Sequence, residues 1–146
     1  MTVREARGGD LRELLELYLH LHEEKVPALD PRVLRVWSDI LKDENHHVIV
    51  CEEEGRIVSS CVCVLVPNLT RNARPYAVIE NVVTDPAFRR RGCGSACLHR
   101  AKEIAEEHNC YKIMLLTGSK EESTHRFYRK AGYDGTEKTG YIQRLK

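Results

Sequence analysis

The chain has almost no net charge and no long hydrophobic run. Its 23 lysines and arginines are balanced by 22 aspartates and glutamates, so the formal charge is +1. The longest apolar run, CVCVLV at 61–66, is far shorter than the ~20 residues that a membrane span needs. Proteins that bind nucleic acid or membranes usually carry a clear basic excess, and no aromatic residues alternate with the arginines. We therefore predict neither a nucleic-acid partner nor a membrane partner.

The sequence also lacks an export signal and a recognisable metal-binding pattern. Residues 1–10, MTVREARGGD, carry charges where a signal peptide would be apolar, so we expect a cytoplasmic protein. Six cysteines are present, and in that compartment they should be reduced thiols. Their spacings, including Cys61-x-Cys63, do not match common zinc patterns. No metal site is predicted.

What is present indicates an ordinary globular protein. The chain has 146 residues, of which 42% are apolar and 31% are charged. This length is sufficient to bury a core without metals or disulfides and is typical of one domain. We predict a single domain over residues 1–146.

The hydrophobic periodicity predicts an α+β (α/β layered) fold in the order β-α-α-β-β-β-α-β-α-β-β. The strand 110–118 is nearly apolar, so we expect it to be central and covered on both faces. The β-α-β unit over 75–117 should have parallel strands and a right-handed crossover. Asp10 and Asp30 are the expected caps of the first two helices, and Ser119 with Glu122 has the spacing of a capping box. The predicted elements are a strand at 2–6, helices at 8–24 and 30–44, a hairpin at 46–67 turning at Glu54-Gly55, a strand at 75–85, a helix at 94–108, a strand at 110–118, a helix at 119–132 and a closing hairpin at 133–145.

A cluster of arginines meets a glycine turn where a helix is predicted to begin. The stretch 89–94 reads RRRGCG. A helix N-terminus presents unpaired N–H groups and partial positive charge, and glycines let a ligand approach the backbone. Such a turn suits a phosphate or pyrophosphate. The glycine turn alone is more typical of a strand-to-helix connection with solvated arginines, and it matches neither the longer dinucleotide fingerprint nor the Walker loop.

Two motifs resemble the GNAT superfamily of acetyl-CoA-dependent N-acetyltransferases. RRRGCG at 89–94 matches that family's Arg/Gln-x-x-Gly-x-Gly/Ala signature, and RFYRKAGY at 126–133 matches its late helix and following strand. The resemblance implies the GNAT fold, with a mixed, mostly antiparallel sheet and helices on both faces. It also implies an acyltransferase that uses acetyl-CoA as co-substrate and forms a homodimer.

The resemblance further implies a set of residues that bind acetyl-CoA. The strand before the turn would pair its backbone with the pantetheine arm, and the turn would hold the pyrophosphate, with Arg91 facing only solvent. Many members carry an asparagine four residues before the late tyrosine; here that position is Thr124. The implied cofactor-binding residues are Val82, Val83, Thr84, Arg89, Arg90, Arg91, Gly92, Cys93, Gly94, Ser95 and Thr124.

The same resemblance implies two catalytic residues for direct attack of an amine on the thioester. Glu80 occupies the strand position of the general base, acting through water, and Tyr128 matches the tyrosine that protonates the leaving thiolate. The backbone N–H of Val82 would support the thioester carbonyl. By strand alternation, Asn81 should lie on the face opposite Glu80. Alternatives are a surface carboxylate at Glu80 with water alone as base, a packing tyrosine at Tyr128, and a covalent route through Cys93.

The acceptor amine is less constrained. Acidic residues between the first two helices suit a cationic amine, whereas basic residues at 67–75 suit an acceptor with phosphate or carboxylate. Residues 110–133 and IENVV also resemble glucosamine-6-phosphate N-acetyltransferases, in which the Asn81 position is usually aspartate. We predict a small-molecule amine acceptor; the alternatives are a protein or peptide acceptor, or a non-catalytic CoA-binding or nucleic-acid-binding module. The predicted acceptor-binding residues are Glu24, Arg71, Arg74 and Asn81.

Overall fold

The structure, a computed structural model, describes residues 1–146 and contains two compact units, Met1–Leu115 and Leu116–Lys146. None of its helices has both the length and the apolar character needed to cross a bilayer. The first unit contains β1 (Thr2–Glu5), α1 (Leu11–Leu17), α2 (Pro31–Lys42), β2 (His46–Glu53), β3 (Arg56–Val66), the four-residue α3 (Thr70–Ala73), β4 (Tyr76–Thr84), α4 (Cys93–Glu107) and β5 (Ile113–Leu115), and the second contains α5 (Glu122–Lys130).

The first unit is built on one five-stranded sheet in the order β1-β2-β3-β4-β5. The first three pairings are antiparallel and β4–β5 is parallel, which confirms the mixed, mostly antiparallel sheet and the parallel β-α-β unit. Helices cover both faces. Val48 and Val50 pack with Leu14 and Trp37 of α1 and α2, whereas the thiol of Cys61 lies against α4.

The two N-terminal helices start by different means. Asp30 accepts a hydrogen bond from Val33 N at 2.9 Å, which confirms it as the cap of α2. The prediction for Asp10 was wrong, because its side chain does not cap α1. Its carboxylate instead accepts from Arg7 N at 2.6 Å and from the Arg4 guanidinium at 2.7 Å. The hydrogen bond and charge of Arg4 hold the pKa of Asp10 below its usual value.

The strand predicted at 110–118 is much shorter and is not central. β5 contains only Ile113–Leu115, lies at the edge of the sheet and is half-buried. Its pairing with β4 is limited to Ala77–Ile79. The apolar composition of this segment correctly indicated that it is partly buried. It did not indicate whether the strand is central or at an edge, because a run of apolar residues does not specify how many strands lie beside it.

The second unit contains α5 and an irregular tail. The predicted closing hairpin at 133–145 was wrong, because no helix or strand follows Lys130. The apolar residues of the tail gain little burial: Tyr141 is 89% exposed and Leu145 is 86% exposed. A two-stranded hairpin without a buried face is marginal in water, which accounts for its absence. Gly132, at φ +100°, follows α5 in the left-handed conformation expected of a helix stop.

Candidate active site

Strand β4 contains a β-bulge at the position of the predicted general base. Val62 of β3 pairs with Glu80 and Ser60 pairs with Val83, so two residues of β4 lie opposite one residue of β3. Asn81 is in the bulge at φ +51°, a left-handed conformation that asparagine tolerates better than most residues. A bulge re-aims the side chains that follow it. An asparagine inside an apolar strand was the available sequence signal, and it was not interpreted as a bulge.

The bulge brings Glu80 and Asn81 to the same cavity. Both line a space of about 490 Å³ between α1, α2 and the sheet. Strand alternation had predicted opposite faces, and that prediction was wrong because the extra residue breaks the period of two. Downstream of the bulge, Val83 packs into the core cluster beneath α1 and α2, on the same side as the cavity.

The cavity is mostly apolar, with a small set of polar groups. Its volume is within the range typical of pockets for small ligands. Most residues that line the cavity are apolar, and they include Trp37, the chain's single tryptophan. The polar residues of the lining are Tyr18, Arg32, His46, Glu80 and Asn81.

Tyr18 is a site residue that sequence reasoning missed. Its hydroxyl interacts by hydrogen bonding with the side chains of Asn81 and Ser60. Burial raises the pKa of Tyr18 to about 12, although these hydrogen bonds lower it. The phenol therefore stays neutral at physiological pH and contacts the bulge as a hydrogen-bonding group. Its periodicity within the first helix identified it only as a member of the apolar stripe.

Three of the predicted acceptor-binding residues lie outside the cavity lining. Glu24 follows α1, Arg71 lies in α3 and Arg74 precedes β4, but none of them borders the cavity. The Arg74 guanidinium donates to the backbone carbonyls of Asn109 and Cys110, each at 3.1 Å. The guanidinium carbon of Arg71 lies 5.6 Å from the centre of the Tyr111 ring. Within this set, only Asn81 lies beside Glu80.

The outer edge of β4 is open beside the bulge. β5 pairs only with Ala77–Ile79, so the segment from Glu80 to Thr84 has no strand partner on that side. The predicted pantetheine-binding residues Val82 and Val83 lie on this segment. An unpaired strand edge can hydrogen-bond an extended, amide-containing ligand by strand addition.

The glycine turn leaves the N-terminus of α4 uncapped by protein side chains. Gly92 is the N-cap residue at φ +81°, and no side chain bonds to this helix end. Ala96 N donates to Gly92 O at 2.9 Å, so the N–H groups of Cys93, Gly94 and Ser95 precede the first helical bond. Arg90 also has positive φ, +64°. The turn therefore has the backbone geometry of an anion site.

The three arginines of the turn differ in their surroundings. Arg89 and Arg90 are exposed and form no ion pair. The expectation that Arg91 only faces solvent was wrong: its guanidinium lies 3.4 Å from Glu53 and 4.8 Å from the centre of the Phe88 ring. Arg89 and Arg90 thus remain available to an anionic ligand, whereas Arg91 contacts the protein.

The remaining predicted residues belong to the second unit. The Tyr128 ring packs edge-on against Phe127, with centroids 5.1 Å apart, and against Tyr133 at 6.2 Å. Thr124, which replaces the family asparagine, has its hydroxyl 3.0 Å from that of Ser119. The Thr124 hydroxyl is therefore already hydrogen-bonded within α5 and the turn that precedes it.

The cysteines are free, and all but Cys110 are fully buried. Burial raises the pKa of Cys51 and of Cys97 to about 12, with smaller contributions from neighbouring groups. No cluster of three or more His, Cys, Asp or Glu side chains is arranged to hold a metal ion. Since the thiolate is the nucleophilic form, these two thiols are poor nucleophiles at neutral pH.

Comparison with known proteins identifies clear relatives. Residues 11–133 match the family described as "Acetyltransferase (GNAT) family". A protein of Trypanosoma brucei brucei named glucosamine 6-phosphate N-acetyltransferase is 32% identical over 140 residues, covering 94% of this chain and 92% of that protein. A structure named as a putative acetyltransferase from Agrobacterium tumefaciens str. C58 superposes with a TM-score of 0.92 at 41% identity, covering 99% of this chain and 100% of that one. A structure from Bacillus halodurans C-125 named as a transcriptional regulator superposes with a TM-score of 0.85 at 30% identity, covering 98% and 99%.

Proposed function

Because the chain belongs to the acetyltransferase (GNAT) family, we propose that it transfers the acetyl group of acetyl-CoA to the primary amine of a small molecule. The observation that carries this proposal is the bulge of β4. It turns Glu80 into the cavity, next to the open edge of β4, and the uncapped N-terminus of α4 follows along the chain. A base, a strand edge for an amide-containing arm and an anion site thereby occur within one stretch of about fifteen residues.

The thioester supplies an activated acyl group, and the protein supplies proton transfer and charge stabilisation. The Glu80 carboxylate accepts the proton of the amine, through a water, so that the nitrogen can attack. The Val82 N–H, in the bulge, donates to the oxygen on which negative charge develops. Tyr128 donates a proton to the departing sulfur. The exposure of the Glu80 side chain at the cavity supports its role, because a water-mediated base must remain accessible.

The co-substrate is proposed to bind along β4 and the glycine turn. The backbone of Val82, Val83 and Thr84 pairs with the amides of the pantetheine arm, and the N–H groups at 92–95 hold the pyrophosphate. Arg89 and Arg90 add charge-assisted hydrogen bonds to the phosphates. Their exposure and lack of ion pairs support this role over a structural one.

Thermal unfolding with acetyl-CoA, and with adenosine diphosphate as comparator, tests the binding step. Ligand at a hundred times its dissociation constant adds about 2.7 kcal/mol, which should raise the midpoint by roughly 5–10 °C. Arg90→Ala should weaken binding about tenfold through loss of one charge-assisted hydrogen bond. Arg100→Ala is the control, since this arginine of α4 pairs with Glu107 instead. No shift with acetyl-CoA would refute the proposal.

Thiol release in the presence of amines tests the chemical step. Glu80→Gln should lower turnover by about 10²–10³ while the acetyl-CoA-induced thermal shift is unchanged. If Glu80→Gln turns over at the wild-type rate, the base assignment is wrong and bulk water serves instead. Tyr128→Phe should likewise lower turnover before it affects binding.

One specific acceptor and one alternative function also have support from the relatives. The trypanosomal relative is named for glucosamine 6-phosphate, which makes an amino-sugar phosphate a candidate acceptor. The Bacillus halodurans structure is named as a transcriptional regulator, so a protein that binds CoA without catalysis is the second candidate function. Acetyl-CoA binding without thiol release by any amine would favour the second. The homodimer, the cytoplasmic location and the single domain stay predictions.

A further inference from the structure

The floor of the cavity contains an apolar row that begins at Glu80. Glu80 of β4 pairs with Val62 of β3, which in turn pairs with Val48 of β2. All three line the cavity, so they form one row across the sheet. Neighbouring strands lie about 4.8 Å apart, and the row therefore extends about 10 Å from the carboxylate into a valine surface.

The walls continue this apolar surface. α2 contributes Val36 and Trp37, and α1 contributes Leu15, on the side opposite the sheet. The Trp37 indole is held in one orientation, since its Nε1–H donates to the carbonyl oxygen of Gly8 at 3.1 Å. A ligand that extends from Glu80 along this row would therefore contact hydrocarbon on both sides, whereas Tyr18, Arg32 and His46 are the remaining polar residues of the lining.

This row does not suit a sugar, although Arg32 and His46 line the cavity beside it. Each hydroxyl of an amino sugar leaves its hydrogen bonds to water on entering the cavity, and a buried polar group without a partner is unfavourable. The row from Glu80 to Val48 offers such partners only at the Glu80 and Asn81 end. By contrast, each methylene that leaves water in an apolar site raises affinity about fourfold.

We propose that the acceptor is a primary amine with an extended apolar body, of the alkylamine or arylalkylamine class. Its nitrogen lies at Glu80, and its body extends over Val62 and Val48 beneath Trp37. This inference rests on the proposed function for the reaction, and it narrows the acceptor to a class that the names of the relatives do not suggest. The negative charge of Glu80 attracts the ammonium form and, through water, accepts the proton that must leave before attack.

The single tryptophan provides a binding measurement independent of transfer. Titration of the wild-type protein with n-hexylamine, which does not fluoresce, should change Trp37 emission saturably, whereas glucosamine 6-phosphate should not. In the thiol-release assay, kcat/KM should rise about threefold or more per methylene from ethylamine through butylamine to hexylamine. Hexylamine should exceed glucosamine 6-phosphate by at least tenfold.

A matched pair of variants on α2 locates the effect. Val36 and Leu34 are similarly exposed, at 50% and 47%, but only Val36 lines the cavity. Val36→Asn should weaken hexylamine binding about tenfold, and Leu34→Asn should leave it unchanged. Both substitutions place the same side chain on the same helix, so an equal loss in both variants would indicate a helix effect and overturn the inference.

The outcomes separate this inference from the proposed function. Hexylamine binding without thiol release would support the apolar acceptor class and refute catalysis. Efficient transfer to glucosamine 6-phosphate, with no response to hexylamine, would overturn the apolar class while the acetyltransferase proposal stands. Absence of both hexylamine binding and transfer to any amine would overturn both.

Discussion

The left-handed conformation of Asn81 can be tested by substitution at that residue. At φ +51°, Asn81 lies in the bulge that turns Glu80 into the cavity and leaves Val82 without a pairing partner in β3. A β-branched side chain is strongly disfavoured there, because its Cβ substituents crowd the neighbouring carbonyl oxygen. We expect Asn81→Val to lower the free energy of unfolding by about 1–2 kcal/mol. For a chain of this length, that corresponds to roughly 3–8 °C in the unfolding midpoint.

Asn109 provides the matched control. It is exposed, has φ +61° and does not line the cavity. Asn109→Val should therefore lose a similar amount of stability. Only Asn81→Val should also lower turnover, by about 100-fold, because a misplacement of about 1 Å at the reacting groups has an effect of that size.

Asn81→Gly separates the backbone from the amide side chain. Glycine adopts positive φ without strain, so the bulge should persist while the hydrogen bond to the Tyr18 hydroxyl is lost. We expect stability within about 1 kcal/mol of wild type and turnover within about tenfold. Differential scanning calorimetry and thiol release measure the two quantities. If Asn81→Val is destabilised as Asn109→Val is but retains wild-type turnover, the bulge does not orient the catalytic groups.

Two further predictions concern charge and thiols. Asp10→Asn should lower stability by about 1–3 kcal/mol at pH 7, because it breaks the pair with Arg4. Since the folded pKa of Asp10 is depressed, its contribution to stability is present above about pH 4 and is lost as the pH falls further. The urea midpoints of wild type and variant should therefore converge near pH 2–3. The control Asp39→Asn, which breaks no ion pair, should have little effect on the midpoint at either pH. An aromatic disulfide reagent should label at most Cys110 in the native protein and all six cysteines in urea. Rapid labelling of several thiols in the native protein would contradict their burial.

Sequence signals correctly predicted the helix start and the turns that depend only on a few neighbouring residues. Asp30 followed by Pro31 marked the start of α2, because a cap and a proline act within one helical turn. Glu54-Gly55 marked the hairpin between β2 and β3, where both residues have positive φ. The glycine turn at 92 was likewise predicted, because only a few residues define it.

The features that were mispredicted depend on distant neighbours. Asp10 has the residue type of a cap, but Arg4, on β1, attracts its carboxylate. The apolar stretch at 110–118 has the composition of a central strand, but its place in the sheet depends on pairing with β4 alone. The tail at 133–145 has a hairpin pattern but no apolar face to cover, and its large side chains remain exposed.

The sequence by itself determined the family, the start of α2 and the glycine turn before α4. Each of these is set by residue types within a short window, through backbone conformation and hydrogen bonds between near neighbours. Only the tertiary structure decided that Glu80 and Asn81 share one cavity and that valines extend from them across the sheet. The reason is physical: one extra residue in β4 inverts the faces of the strand, and the register between three strands sets what lies beside the carboxylate.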